Sequence, residues 1–190
     1  DDEIKLVWPH FDQLRNNPRD QLKLGLYTAQ RPGEIAAMRW ADIDSQTGVW
    51  KLERTKTGVP ALVPLSRQAI DILKRRWKER RSNEFVFPSN WNKHKGATSG
   101  HAKPPKDARR GIIEMQQMEN WTAHDLRRTA RTIMSRLEIK PFIRELVLNH
   151  SQRGVKAVYD QHDYLPEKRK ALQKLANEID HIRGAKVASN

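Results

Sequence analysis

The sequence predicts a mainly helical α+β fold with a small three-stranded antiparallel sheet on one edge. Two short apolar segments, residues 49–52 and 61–63, flank a turn-forming sequence at residues 55–58, which is typical of two strands joined by a hairpin-like connection. A third short apolar segment, residues 85–87, is predicted to be the remaining strand. Apolar side chains elsewhere recur mainly at helical spacing, so we expect helices to form most of the core.

The first part of the chain predicts helical segments. Residues 1–19 are expected to form a linker and a short helix, interrupted by two prolines. Residues 20–30 fit either period, because three leucines alternate as in a strand while two of them and Ala29 recur as in a helix. We favour the helix. Pro32 then begins a second helix, since proline is tolerated in a first helical turn.

The remaining elements follow from spacing and turn residues. Residues 66–81 alternate apolar and basic side chains at helical spacing. Residues 88–106 form a long polar loop, and such loops are usually functional or disordered. The chain after this loop is predicted to be helical, with a break near Pro141. Gly184 is suited to end a last helix, whose apolar residues recur at intervals of three and four: Leu172, Leu175, Ile179 and Ile182.

Composition points to a polyanionic partner. The 190 residues include 36 Lys and Arg against 23 Asp and Glu, a formal net charge of +13. Nucleic acid is the first candidate, and a merely soluble basic protein is the alternative. The apolar and aromatic content is too high for a disordered basic tail.

Some classes of site and location are excluded. The absence of cysteine excludes thiolate catalysis, cysteine zinc sites and disulfides. No apolar run approaches the roughly 20 residues that span a bilayer, and no signal-peptide pattern opens the chain. Because the chain begins Asp-Asp-Glu without methionine, we expect it to be a fragment from which an N-terminal domain has been removed.

An ordered set of phosphate-handling residues lies toward the C-terminal end. His124 and Arg127 are followed by His150 and then by Tyr159. A phenol has an ordinary pKa of about 10, so as a nucleophile it needs neighbours that remove its proton and hold its target. Arginine and histidine beside a tyrosine suit attack on a phosphodiester. No acidic cluster or close histidine pair has metal-ligand spacing.

The helix that carries the first two residues of this set is predicted from its start. Thr122 and Asp125 have the spacing of a capping box, which places His124 in the first turn, where free N–H groups favour an anion. One face is predicted to be apolar: Leu126, Ala130, Ile133 and Leu137. The other is predicted to be polar: His124, Arg127, Arg128 and Arg131.

Within this polar stripe the arginines differ. Arg127 lies at its edge, close to Met134, where it would be partly shielded and could grip two phosphate oxygens. Arg128 and Arg131 fit a solvated basic face better.

Two upstream cations complete the set. Arg31 directly precedes a helix N-terminus, and Lys56 lies on the hairpin connection, where its amine could reach into a site from the side. Taken alone, Arg31 fits a surface arginine paired with Glu34, and Lys56 fits a turn lysine.

The order of these six residues resembles the tyrosine recombinase (phage integrase) family. In that family a Thr-Gly-x-Arg-x-x-Glu phrase holds the first arginine, as in residues 28–34 here, and a β-hairpin holds the lysine. The family's His-x-x-Arg box matches residues 124–127. Its Leu-Gly-His box, with tyrosine nine residues after the histidine, matches residues 148–159. Ala29 and Asn149 stand where the family usually has glycine. The resemblance covers about residues 5–170, and the stretch after the tyrosine is most similar to prophage and genomic-island integrases.

The resemblance implies the tyrosine-recombinase catalytic fold and a site-specific DNA recombinase for integration or excision of a mobile element. Residues 20–170 would form the catalytic domain, residues 1–19 a linker and first helix, and residues 171–190 a C-terminal helix and tail. The enzyme would cleave and rejoin DNA through a covalent 3′-phosphotyrosyl intermediate, with no cofactor.

The resemblance also implies a role for each residue. Tyr159 is the nucleophile, and Arg31 and Arg127 hold the non-bridging oxygens. Lys56 protonates the leaving 5′-oxygen, His124 assists proton transfer at the tyrosine, and His150 donates a hydrogen bond to the phosphate. Tyr164 is the rival nucleophile, about 140° away around a continuing helix.

Partners and location follow in the same way. Double-stranded attachment sites would be bound by a homo-oligomer, a tetramer on DNA and a monomer without it, in the bacterial cytoplasm at the nucleoid. Four basic residues are expected to contact DNA: Lys93, Lys95, Lys103 and Arg128. The C-terminal helix packs either on its own domain or on a neighbouring protomer. Two other functions fit the residues, a type IB topoisomerase and a basic DNA-binding regulator without catalysis.

Overall fold

The computed structural model describes residues 2–53, 55, 58, 60–89, 100–106, 112–113, 121–150 and 164–184. The described part is mainly helical, with a three-stranded antiparallel sheet, as predicted. The helices are α1 (Asp2–Gln13), α2 (Asn16–Thr28), α3 (Pro32–Ala36), α4 (Arg67–Lys78), α5 (Ala123–Arg136), α6 (Pro141–Val147) and α7 (Leu165–Ile182). None of these helices is both long enough and apolar enough to cross a membrane.

Helix α1 is longer than the prediction of a linker and a short helix, because it continues through Pro9. A proline inside a helix removes one hydrogen bond and costs about 3 kcal/mol. The apolar face of α1 offsets that cost by packing into the core, and its buried residues are Ile4, Val7, Trp8 and Phe11.

Helix α2 confirms the helical interpretation of residues 20–30 and lies at the centre of the domain. It packs against α1, α3, α4, α5 and α7. Leu22, Leu24 and Leu26 are all buried, since α2 has neighbours on more than one side. Alternating leucines therefore could not distinguish a strand from a central helix.

The sheet consists of β1 (Ile43–Asp44), β2 (Val49–Leu52) and β3 (Ala61–Pro64), in the order β1-β2-β3. The two strands of the predicted hairpin pair antiparallel, with Trp50 opposite Val63. The third strand is β1, which pairs with the other edge of β2. Two residues are too few to show an alternating pattern, so β1 left no recognisable signal in the sequence.

The prediction of a strand at residues 85–87 is wrong. This segment forms only an isolated bridge between Phe85 and Arg39 in the described part of the chain. The Val86 N–H donates to the Met38 carbonyl at 2.9 Å. Phe85, Val86 and Phe87 are all buried, so the apolar run fills the core instead of forming one face of a sheet.

The two ends of the long polar loop lie side by side. Pro88 and His101 form an antiparallel bridge, and the Ala102 N–H donates to the Phe87 carbonyl at 2.7 Å. Residues 90–99 lie outside the described residues. The predicted break near Pro141 is confirmed, because α5 ends at Arg136 and α6 begins at Pro141.

Helix α7 packs on its own domain, which is one of the two arrangements considered for the C-terminal helix. All four predicted apolar positions are buried, and Gly184 follows the helix with a φ of 75°. The Asp180 carboxylate accepts hydrogen bonds from Tyr27 at 2.8 Å and from Gln68 at 2.9 Å. These contacts anchor α7 to α2 and α4.

Candidate active site

The start of α5 places His124 as predicted. The Asp125 carboxylate accepts hydrogen bonds from the Thr122 N–H at 2.8 Å and from the Thr122 hydroxyl at 2.7 Å. The hydroxyl hydrogen bond is the main reason why the pKa of Asp125 lies below its ordinary value. His124 is exposed in the first turn.

Arg127 is almost completely buried, with 3% of its surface exposed. The sequence predicted only partial shielding of Arg127 at the edge of a polar stripe, so it underestimated the burial of this side chain. Arg127 shares the inner face of α5 with Ala130 and Met134, which lie three and seven positions further on. Its guanidinium donates to the Ala29 carbonyl at 2.7 Å and also to the Leu148 carbonyl.

Electrostatics at Arg127 oppose its charge. Burial and, second, the charge of nearby Arg31 lower its pKa to about 10, although Glu34 and Glu145 act in the opposite direction. In the described part of the chain, its hydrogen-bond acceptors are two main-chain carbonyls, not a carboxylate. An anion bound beside Arg127 would therefore be strongly favoured.

The two carbonyls that hold Arg127 lie where the chain adopts left-handed backbone. Ala29 has a φ of 55°, and Asn149, directly after Leu148, has a φ of 45°. These are the positions where the family usually has glycine, which adopts positive φ without steric cost. The replacements therefore keep the backbone conformation and carry strain in it.

Arg31 lies at the N-cap of α3 and is bound to Glu34. One Glu34 oxygen accepts a hydrogen bond from the Arg31 guanidinium, and the other accepts one from the main-chain N–H of Arg31, both at 3.1 Å. The ion pair considered from the sequence is thus present, but Arg31 also lies close enough to lower the pKa of both Arg127 and His124.

The pKa of His124 lies below its ordinary value. Burial is the largest cause, followed by the charges of Arg127, Arg128 and Arg31, against the opposing charge of Asp125. A neutral imidazole is therefore favoured at neutral pH, and it can accept a proton.

His150 is exposed just after α6 and is held by Glu145. Its ring Nδ1 lies 2.5 Å from Glu145 Oε2. The main-chain N–H of His150 donates to the Glu145 carbonyl at 3.1 Å. The other carboxylate oxygen accepts from Arg131 at 2.8 Å. Burial raises the pKa of Glu145, but these hydrogen bonds outweigh it and hold that pKa below its ordinary value.

Glu145 was not identified from the sequence. It lies five residues before His150, a spacing that no common motif marks. Arg131 is exposed, as its spacing predicts, and pairs with Glu145 across the α5–α6 boundary.

Gln30 ties the two arginine-bearing regions together. Its Nε2 donates to the Thr28 carbonyl at 2.9 Å and to the Val147 carbonyl at 2.7 Å. Together with Arg127, this buried amide joins the segment before α3 to the end of α6. The structure thereby brings Arg31, His124 and Arg127 together and attaches the segment of His150 to them.

A cavity of about 370 Å³ lies between α3 and β2 and is lined by Glu34, Lys51 and Glu53 among others. Strand β2 leads from this cavity toward the turn, in which the Gly58 N–H donates to the Thr55 carbonyl at 3.1 Å.

Four predicted residues lie outside the described residues: Lys56, Lys93, Lys95 and Tyr159.

The two other predicted DNA contacts are described. Lys103 is exposed, and Arg128, also exposed, is paired with Asp125 at 2.8 Å. Across the described residues, no group of three or more histidine or acidic side chains is arranged to hold a metal ion.

Tyr164 does not lie within a continuing helix. It caps α7 with a left-handed φ of 51°, so the angle of about 140° expected from regular helix does not apply. Its ring packs edge-on against Phe142, with ring centroids 5.0 Å apart.

Comparison with known proteins gives the family of the chain. The Phage integrase family model matches residues 10–165. Prophage integrase IntZ of Escherichia coli strain K12 is 29% identical over 164 residues, which are 85% of this chain and 39% of IntZ. The chain thus spans about two fifths of the length of that relative.

Solved structures show the same fold. An integrase from mycobacterium phage Brujita superposes with a TM-score of 0.67 at 14% identity, covering 90% of this chain and 56% of that one. The XerH site-specific recombinase bound to difH substrate superposes with a TM-score of 0.63 at 19% identity, covering 88% of this chain and 51% of XerH. Because the family model matches residues 10–165 of the 190 residues, this chain belongs to the phage integrase family, the tyrosine recombinases.

Proposed function

We propose that this chain carries the catalytic domain, at residues 20–170, of a site-specific DNA recombinase that integrates or excises a mobile element. The observation that carries the proposal is the buried Arg127 guanidinium, which the Ala29 and Leu148 carbonyls hold within electrostatic range of Arg31 and His124. Arg127 is held by carbonyl dipoles in the described part of the chain, and a phosphodiester would supply the missing negative charge. Membership of the phage integrase family supports the same reaction.

In the proposed reaction, the Tyr159 oxygen attacks a DNA phosphorus, and the bond to the 5′-oxygen breaks. A 3′-phosphotyrosyl link forms, His124 takes the phenolic proton, and Lys56 gives a proton to the leaving oxygen. Arg31 and Arg127 stabilise the pentavalent phosphorane, and His150 donates a hydrogen bond to it. Attack by another 5′-hydroxyl reverses the step, so the bond energy is conserved without ATP.

The surroundings of Tyr164 support Tyr159 as the nucleophile. The Tyr164 ring packs against Phe142 and the core, and its backbone forms the N-cap of α7. Moving that ring to a phosphate would expose this apolar contact.

We further propose double-stranded attachment-site DNA as the substrate and a tetramer as the assembly on it, in the cytoplasm at the nucleoid. XerH, which shares the fold, is bound to its difH substrate in a pre-cleavage complex. The net charge of +13 favours a polyanion. Lys93, Lys95, Lys103 and Arg128 would contact backbone phosphates, so binding should weaken steeply with salt.

The test is covalent capture of DNA. The protein is incubated with a pool of nicked duplexes randomised across the core, and adducts that resist denaturant are isolated by gel electrophoresis. Peptide mapping then locates the modified tyrosine. We expect an adduct at Tyr159 that is absent from Tyr159→Phe and present in Tyr164→Phe.

The other outcomes separate the alternatives. An adduct that persists in Tyr159→Phe but not in Tyr164→Phe would reverse the assignment. Relaxation of supercoiled DNA without strand exchange would identify a topoisomerase. Binding to DNA without any adduct would identify a regulator.

A further inference from the structure

Glu145 links the two helices that carry the candidate phosphate-binding residues. Oε1 accepts from Arg131 on α5, and Oε2 contacts Nδ1 of His150 just beyond α6. The carbonyl of Glu145 also accepts the His150 N–H at 3.1 Å. One residue therefore holds both the backbone and the ring of His150.

This contact determines which nitrogen of the ring is available. With Nδ1 occupied by a carboxylate, only Nε2 is left to face a phosphate. Glu145 therefore fixes the orientation of the imidazole and the nitrogen that it presents.

The geometry differs from an ordinary surface ion pair. Both oxygens of Glu145 are used by different partners, and the side chain is 30% exposed. Two anchors fix the carboxylate more tightly than one, which limits the entropy that a flexible pair loses. Glu145 also interacts electrostatically with Arg127, whose guanidinium binds the Leu148 carbonyl two residues before His150.

We propose that Glu145 is a positioning residue that holds the His150 imidazole with Nε2 directed at the scissile phosphate, with Arg131 as its second anchor. The proposal rests on the recombinase function proposed above. It assigns to Glu145 no contact with DNA, so its effect on cleavage passes through His150.

The experiment measures single-turnover formation of the covalent adduct, and separately the affinity for DNA, in Glu145→Gln, His150→Ala and the double variant. Glu145→Gln should slow cleavage about 10- to 100-fold, the effect of weakening a hydrogen bond to a charged group. Its affinity for DNA should stay within about twofold, since a residue that acts through His150 contributes little to binding. The double variant should be no slower than His150→Ala, because residues that act as a unit are not additive.

Two further variants serve as controls. Glu178→Gln alters another glutamate that pairs with an arginine of α5, Arg136 at 3.2 Å, and should leave cleavage unchanged. Arg131→Met should slow cleavage less than Glu145→Gln, because the contact with His150 remains. Arg131→Met also provides the test if Glu145→Gln unfolds, and a normal rate in that folded variant would then count against the proposal.

The outcomes distinguish the two proposals. Additive losses in the double variant, or a normal rate in folded Glu145→Gln, would overturn the role of Glu145 and leave the recombinase function standing. Absence of an adduct from the wild-type protein would overturn both.

Discussion

Arg76 and Arg127 are both largely buried, yet only Arg76 donates a hydrogen bond to a carboxylate in the described part of the chain. Arg76 donates to the buried Asp20 carboxylate at 2.8 Å and to the Val86 carbonyl at 2.8 Å, and its guanidinium stacks on Phe87 at 4.3 Å. Arg127 donates to two main-chain carbonyls, and the nearby charge of Arg31 opposes its own. Burial lowers the pKa of both.

Arg76 has a bound carboxylate, whereas Arg127 has none within the described part of the chain. Asp20 also binds Arg19 and Arg75, so one carboxylate is shared by three guanidinium groups. Carbonyl dipoles orient Arg127 without neutralising it. Burial alone therefore does not distinguish these two arginines, whereas the presence of a bound carboxylate does.

The largest expected effect comes from removing Arg127. Arg127→Met should reduce the rate of adduct formation about 10³-fold, because it removes the charge proposed to stabilise the transition state. Single-turnover cleavage measures this effect. Arg136→Met, on the outer side of the same helix, is the matched control and should cleave normally. Similar rates for both variants would contradict the comparison.

Neutralising Asp20, the carboxylate that Arg19, Arg75 and Arg76 share, should lower stability and leave the cleavage rate unchanged. Asp20→Asn leaves Arg76 buried without its carboxylate and should lower the free energy of unfolding by about 3 kcal/mol. Urea denaturation measures this change. The cleavage rate per folded molecule should be unaffected, and a selective loss of catalysis without loss of stability would show that the cluster is not merely structural.

A smaller effect should appear at His124, whose pKa is lowered by burial and then by Arg127. In Arg127→Met this pKa should rise toward the ordinary value of about 6.5, whereas Arg76→Met should not move it. NMR titration of the imidazole provides the measurement. An unchanged titration in Arg127→Met would argue against close coupling of the two residues.

The same shift has a consequence for stability. Because the pKa of folded His124 lies below that of the unfolded chain, the unfolded state binds more protons between the two values. The stability linked to this group is therefore present above about pH 6.5 and is lost as the pH falls through the folded pKa.

The smallest effect concerns the backbone that presents a carbonyl to Arg127. Ala29→Gly should raise the free energy of unfolding by about 1 kcal/mol, since glycine relieves the strain of a φ of 55°. Ala37→Gly, at a φ of −88°, should instead lower it by about 0.5–1 kcal/mol. Thermal denaturation distinguishes the two, and destabilisation by both would contradict a strained Ala29.

Features with a local cause could be predicted from the sequence. The start of α5 follows from Thr122 and Asp125, and the start of α3 follows from Pro32, because capping depends on residues within one turn. The order of the site residues was likewise readable, since spacing along the chain is itself the signal. The hairpin strands were also predicted from two short apolar segments and the turn sequence between them.

Features that depend on distant partners could not be predicted in this way. The length of α1 beyond Pro9 follows from packing between segments, which no short pattern records. The two-residue strand β1 and the contact between Glu145 and His150 join neighbours in the chain, but neither has a recognisable sequence pattern.

Arg127 shows both sides of this division. Its place in a His-x-x-Arg box is visible in the sequence, and so is its helix. Its nearly complete burial and its binding to the carbonyls of Ala29 and Leu148 arise only when three separate parts of the chain come together. Helical spacing depends on neighbours along the chain, whereas the charge balance of a buried group depends on every group that the fold places around it.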